Sequence, residues 1–590
     1  MPTRKNSFLE ARFSEIRQYR MRSYVIRFLT AFVFVLTLFT VSSEVAFTDL
    51  AFYSDSRLIL ILLFTALLGG VLLFVPFERV ISLALIVIAE VYFLFIASTA
   101  ADYFLSFALC LVLAAAVVYA DPPRGSLQPG RWTLLGGTFL LFLASSLFIG
   151  IITCLYYKNH WTPNFDFGLF AQMFHYMKET GECLVTSERD GLLSHFAVHF
   201  SPIYYLLLPI YALIPSPGTL LVMQGVIVAS GVFPLVLLCK HHGLSHRTAL
   251  LFAAIYVLYP ATTGGCLYYL HENCFLAPLI LWLLYFSDCG RILPALGFAL
   301  LTLAVKEDAA VYVAVIALYL LVSAKKPKLS LPMLGLSVMW FIVVTSLMGK
   351  YGEGIMSDSR YGDYIYDDGG IFTVIKAVVQ NPAYAIRQIL REEKLLFILQ
   401  MLAPLCFLPF VIKRPSKLIL LIPLLLVNLM TSYVYQYDIG FQYVFGSGAI
   451  LFYLAVTNYA ELGEGRWRVL LIAVLGAAII FAGGVGQKLG YIKTYRETAE
   501  ERIAMDAALD LVPEDASVAA TTFLVANLSS RDVIYELETT KHRDEVEYIV
   551  IDLRYTQSFP ISPYFGPGYS TVFYQEGLVG IFKNEAVVGQ

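Results

Sequence analysis

TLLGGTFLLFLASSLFIGIITCLY, residues 133–156, runs for 24 positions without one charged side chain. A helix of that length reaches roughly 36 Å, enough to cross the hydrocarbon core of a bilayer. Eight residues further on comes NFDFGLFAQ (164–172), in which a single acid, Asp166, sits among three phenylalanines. The apolar run sets the class of fold, and the acid beside it raises the question of function. A loop meant only to stay hydrated would scatter several charges and small polar residues. Two explanations stand: Asp166 caps the helix that follows, since Asp is a favoured N-cap, or it works in a pocket at the membrane's edge.

The rest of the chain repeats the pattern of that run. Of 590 residues, 58% are hydrophobic and 14% charged, and mean hydropathy is +0.71. These values exclude an ordinary soluble protein and point to a polytopic α-helical membrane protein. Net charge is −3, and no Lys/Arg run suggests nucleic acid as a partner. The eight cysteines form no CxxC pair or zinc spacing. Arg4, Lys5, Arg12, Arg17, Arg20 and Arg22 precede the first apolar run. They predict a cytoplasmic N-terminus and a retained anchor rather than a cleaved signal peptide.

Apolar runs near 24–43, 57–76, 80–98, 103–120 and 133–156 each have spanning length. Five spans from a cytoplasmic start place 157–201 outside. Further runs follow near 218–239, 248–268, 275–287, 292–305, 309–324, 331–348, 396–412, 417–433, 442–459 and 469–486. That count puts the basic loops KHHGLSHR (240–247), KKPK (325–328) and KRPSK (413–417) inside, as the positive-inside rule requires. Runs between 275 and 324 are too short to cross upright, so tilted, broken or re-entrant segments around a cavity are expected there. The expected fold is a plasma-membrane protein of about 13–15 transmembrane helices.

Four regions follow. Residues 1–132 hold the N-terminal cytoplasmic segment and four transmembrane helices, and 133–348 form a core whose first outer loop is 157–201. Residues 349–486 hold an outer loop, with the amphipathic stretch IFTVIKAVVQNPAYAIRQIL (371–390), and the last transmembrane helices. Polar composition returns over 487–590. There a helix over YRETAEERIAMDAALDLV, strands SVAATT and EYIVIDLR and a closing hairpin VFYQEGLVGIF predict a small extracytoplasmic α/β domain.

An ionisable residue at membrane depth costs about 2.5–3.5 kcal/mol on insertion scales and is a functional candidate by default. Three clusters qualify, all on the expected outer side. The first is Asp166 with Gln172 and, in SERDGLLSHFAVHFSP (187–202), Glu188, Arg189, Asp190, His195 and His199. YYLHENCF (268–275) brings His271 and Glu272, and LAVKEDAAVY (303–312) brings Lys306, Glu307 and Asp308. Each has a structural reading: a helix cap, or an ion pair between helices. His195 and His199, four apart, would share a helix face and could bind a metal. Three acid-bearing clusters on one membrane face favour a shared polar cavity. No GxSxG, HExxH, P-loop or GxGxxG appears in a supporting context, so proteolysis, nucleotide hydrolysis and dinucleotide use lack support. A carboxylate beside a lipid-accessible cavity can take a proton from a hydroxyl. Lys306, Arg189 or Arg360 could hold a departing phosphate. Outside the cytoplasm a sugar donor must arrive in the membrane, and a polyprenyl-phosphate sugar does so.

The succession DFGLFAQ, HFAVHFSP, LHEN, KEDAA, with the tail LVPEDASVAATTFLVANLSSRDVIYEL (511–537), resembles a prokaryotic family of predicted multi-span membrane proteins of unknown function. That family is similar to the GT-C glycosyltransferase superfamily. The resemblance implies a GT-C-like core and Asp166 as general base in an inverting transfer from a polyprenyl-phosphate sugar to an envelope glycan, lipid or protein acceptor. It implies that Glu272, Glu307 or Asp308 orient substrate or a divalent ion; Gln172, Arg189, His195, His199, His271 and Lys306 join them as candidate substrate-binding residues. A divalent cation, Mg or Mn, is left open. Asp-Phe-Gly stands where the family pattern has Asp-Leu-Gly, and the four spans before residue 133 are additional to the usual core. Two other classes compete: a transporter or lipid flippase using the same acids, and a non-catalytic envelope-assembly protein working through its tail.

Overall fold

The computed structural model describes residues 23–36, 38–39, 54–74 and 129–587, apart from 355–356, 367–370, 464–465 and 556–559. The basic segment before residue 23 and the expected spans near 80–98 and 103–120 lie outside the described residues.

Among the described residues, five helices are long and apolar enough to cross a membrane: Arg131–Lys158, Pro217–His241, Pro327–Tyr351, Gln442–Leu462 and Trp467–Gly484. We label α1 Arg131–Lys158, α2 Leu169–Thr180, α3 Pro217–Ser230, α4 Val232–His241 and α5 His246–Val257. Next come α6 Leu276–Asp288, α7 Ile292–Leu303, α8 Ala309–Val322 and α9 Pro327–Tyr351. After the outer-loop helices α10 Ile371–Gln380 and α11 Pro382–Ile389 come α12 Phe445–Leu462 and α13 Trp467–Gly484.

α12 is the axis of the bundle, buried along its length from Phe445 to Tyr459. α9 is peripheral and exposes Leu331, Val338, Met339, Ile342 and Val343. In a chain of this composition such an apolar outer face belongs against lipid. The short runs anticipated between 275 and 324 are indeed short helices: 13 residues in α6, 12 in α7 and 14 in α8. The expected spans at 396–412 and 417–433 are not continuous. A helix over Glu392–Leu402 gives way to short turns at 403–405, 408–410, 415–421 and 424–429. Pro404, Pro409, Pro415 and Pro423 each remove a backbone donor there and stop propagation.

The tail forms a five-stranded sheet. With β1 Leu184–Val185 and β2 Leu193–Ser194 making a small ribbon in the first loop, its strands are β3 Val518–Ala520, β4 Ile534–Glu536, β5 Tyr548–Asp552, β6 Tyr569–Gln575 and β7 Val579–Asn584. Their order is β4-β3-β5-β7-β6. β3 pairs in parallel with β4 and β5, while β7 pairs antiparallel with β5 and β6. Ile549, Val550 and Ile551 are all fully buried, as the unbroken apolar run of a two-sided strand requires. The helix read over 495–512 is broken at Thr498 into Gly490–Glu497 and Ala499–Leu509.

Candidate functional site

Asp166 is not a helix cap. The residue before α2 is Gly168, and no side chain bonds the helix's free amides. Asp166 instead occupies a tight turn, Asn164–Gly168, with φ +80° and ψ −13°. This left-handed conformation costs an L-residue roughly 1–2 kcal/mol, least for Asn and Asp. Its neighbours pin it. Phe167 is fully buried between Tyr157 and Tyr269. Phe170 packs edge-on against His195 and His271. The C-terminal region packs on the turn at Gly168, where a Cβ would meet Val525 at 3.0 Å.

The turn presents the Asp166 carboxylate to the segment between α5 and α6. Tyr268 donates its hydroxyl to Asp166 Oδ2 at 2.6 Å, and His271 Nε2 lies 3.3 Å from Oδ1. Tyr269, next along, is also left-handed at φ +62°. Gln224 of α3 holds this segment from below, accepting the His271 amide at 3.2 Å and donating to the Cys266 carbonyl at 2.7 Å. Burial favours the protonated form of Asp166, but the His271 and Tyr268 hydrogen bonds outweigh it and hold the carboxyl below its ordinary range. Asp166 is therefore ionised at neutral pH.

Behind this pair lies a buried ionic layer. Lys306 Nζ meets Glu272 Oε1 at 2.8 Å, and Tyr204 donates to Glu272 Oε2 at 2.8 Å. Glu272 is 1% exposed and Lys306 4%, so each charge depends on its partner. His199 Nδ1 contacts Glu307 Oε1 at 3.0 Å, and the Phe200 amide donates to Glu307 Oε2. His195 Nδ1 contacts Glu188 at 2.9 Å. The two histidines thus serve different carboxylates, His195 from the start of a 3₁₀ turn and His199 from just beyond it, not from a shared α-helical face. Among the described residues, no three His, Cys, Asp or Glu side chains converge as a metal ion would need.

Asp308 and Arg360 are among the groups that keep unused capacity. Asp308, in the connection between α7 and α8, has a buried Oδ1 with no hydrogen-bond partner. Burial is the main influence on it, and despite Lys306 the nearby Glu307 charge helps push its pKa up to about 6. Arg360 has its guanidinium over the Tyr433 ring at 3.9 Å, donates to the Tyr443 hydroxyl at 3.1 Å, and leaves Nη1 without a partner. Of the three cations considered for a phosphate, Lys306 is taken by Glu272 and Arg189 by Glu353 at 2.6 Å. Arg360 has no carboxylate partner among the described residues.

Gln172 lies elsewhere. It is fully buried, accepts from the Thr186 amide and donates to the Asp532 carbonyl. Thr186 in turn exchanges hydrogen bonds with both backbone groups of Ile534. Gln172 and Thr186 therefore dock the first loop onto the exposed edge of β4.

The aromatic wall of the site was not singled out by sequence reasoning. Tyr433, Tyr435, Phe441 and Tyr443 come from TSYVYQYDIGFQYVF (431–445), between two apolar runs. Tyr268 and Phe441 have ring centroids 4.0 Å apart, and Tyr433 is near enough to feel the Asp166 charge. The signal available was an unusual density of tyrosine, which reads equally well as an interfacial belt.

The chain belongs to the DUF2079 family of predicted membrane proteins, whose model matches residues 158–564. A search of curated proteins finds no match. Among solved structures, the chain is similar to ArnT from Cupriavidus metallidurans bound to undecaprenyl phosphate, at TM-score 0.46 and 14% identity, covering 76% of this chain and 98% of that one. The apo state of the same protein gives TM-score 0.43 and 14% identity, covering 77% and 99%. At these scores the likeness is loose, and the reading of the site rests on its own residues.

Proposed function

We propose that the protein is a GT-C-type membrane glycosyltransferase that uses a polyprenyl-phosphate sugar on the outer face of the plasma membrane. The observation that carries this is Asp166: an ionised carboxylate in a strained turn, oriented by Tyr268 and His271, beside a guanidinium with a free donor. In the reaction an acceptor hydroxyl attacks the anomeric carbon and passes its proton to Asp166. The bond from that carbon to the phosphate oxygen breaks, and polyprenyl phosphate leaves with the electron pair. A single displacement inverts the anomeric centre.

Asp166 is a weak base in its resting state. It suits a proton that moves late, once attack has made the hydroxyl acidic. Arg360 would hold the phosphate as its charge grows, which is worth most in a site from which water is excluded. Tyr433 and Tyr443 fix the guanidinium plane without neutralising it.

The test is transfer from a panel of radiolabelled polyprenyl-phosphate sugars to crude envelope acceptors, comparing wild type with Asp166→Asn. Product from wild type and at least 10³-fold less from Asp166→Asn supports the reading, a loss of the size expected when a general base is removed. Equal product from both removes Asp166 from the mechanism.

A further inference from the structure

A polar cavity is lined by Phe165, the residue before Asp166. It has a volume of about 260 Å³ and lies between the first loop and the C-terminal sheet. Ser187, Glu188 and Asp190 form one wall, Tyr535, Glu536 and Thr539 the other, and Phe165 closes it on the Asp166 side. Both walls are fixed by contacts already formed. The Asp190 side chain accepts from the Thr540 hydroxyl and the Lys541 amide, and Asn164 donates to Ser187 O and to Glu536.

Two features single out a ligand site here. Ser187 is only 5% exposed, yet its hydroxyl makes no hydrogen bond, and a buried hydroxyl left unpaired costs roughly 1–3 kcal/mol. Phe165, by contrast, is 44% exposed, although Phe167 two residues on is fully buried. The same strained turn thus presents Asp166 to Tyr268 and His271 and an aromatic face to the cavity.

We propose that this cavity binds the saccharide head of the acceptor. Its chemistry is that of a sugar subsite: the Glu536 carboxylate accepts from hydroxyls, Ser187 pairs with one more, and the Phe165 and Tyr535 rings pack on apolar C–H faces. Phe165 and Asp166 are consecutive in one turn, so the acceptor's saccharide head is held on the loop that carries the acid. The donor's lipid phosphate occupies the opposite side, at Arg360. The assignment of an acceptor role rests on the glycosyltransferase reading; the binding of a sugar does not.

The experiment is saturation-transfer NMR on the full chain in nanodiscs, with methyl glucoside, methyl galactoside, methyl mannoside and methyl N-acetylglucosaminide as probes. Thr539 is exposed at the cavity mouth, so Thr539→Trp fills the space without touching Asp166. Transfer to at least one glycoside in wild type and in Asp166→Asn, reduced at least fivefold in Thr539→Trp, is expected. No transfer to wild type, or transfer that Thr539→Trp leaves intact, overturns the proposal. Failure of the glycosyltransferase reading would register separately, as sugar binding without product in the radiolabel assay.

Discussion

The Tyr268 hydroxyl reaches the Asp166 carboxylate at 2.6 Å across 102 positions of sequence. It joins the first loop to the segment between α5 and α6, and it contributes to holding the acid ionised. Removing it therefore tests geometry and electrostatics together.

In Tyr268→Phe the carboxylate loses a donor that favours its charged form, so the Asp166 pKa rises. The acidic limb of the pH–rate profile for transfer should move to higher pH, and the rate at pH 7 should fall about tenfold, the low end of what a positioned proton acceptor contributes. Rate profiles from pH 4 to 8 check this. A fall in rate with an unmoved limb would mean that Tyr268 only shapes the cavity.

The Lys306–Glu272 pair predicts a stability effect. Lys306→Met leaves Glu272 charged, buried and without its cation, at a cost of about 3–5 kcal/mol. The double variant Lys306→Met/Glu272→Gln should recover most of that loss. Thermal melts in one detergent distinguish this from a purely catalytic role for Lys306, in which the single variant would melt like wild type.

Arg360→Ala should raise the donor KM at least tenfold and lower kcat, since charge on the phosphate grows toward the transition state. Arg360→Lys keeps the charge but loses the fork that lies over Tyr433, so it should recover only part of the activity. Full recovery by Lys would mean that a point charge suffices.

Asp308 gives a pH dependence of defined sign. Its folded pKa is raised, to about 6, so the folded state binds more protons than the unfolded state between about pH 3.9, the ordinary aspartate value, and pH 6. Stability contributed by this group is lost as pH rises through that window. Asp308→Asn should accordingly melt higher than wild type at pH 7.5 and show little advantage near pH 4. An advantage of equal size at both pH values would exclude titration of Asp308 as its source.

The membrane class and most helices are legible in the sequence because apolar length is a local property. The small α/β tail is legible for a similar reason: EYIVIDLR can bury both faces only as an inner strand. Hydropathy marks 396–412 and 417–433 as apolar, but four prolines break their helices into short turns, which apolar length alone does not reveal. Asp166, His271, Glu272 and Lys306 are brought together as the motif order suggested. Gln172 and Arg189 carry the same kind of polarity, yet their partners are Asp532 and Glu353, which no local pattern indicates. The Tyr433–Tyr443 wall was missed because its meaning depends on Arg360, more than 70 residues earlier.

The docking of the first loop on β4 has a consequence for how the molecule is made. Gln172 and Thr186 complete their hydrogen bonds with residues some 350 positions later, and Asn164, two residues from Asp166, is held by Glu536. The loop that carries the acid is synthesised early, but the surface that sets its shape emerges some 350 residues later. Until then Gln172 and Thr186 lack the partners that hold them in the folded chain. A ribosome-bound chain that already holds every helix of the bundle therefore still lacks the surface that shapes the Asp166 loop.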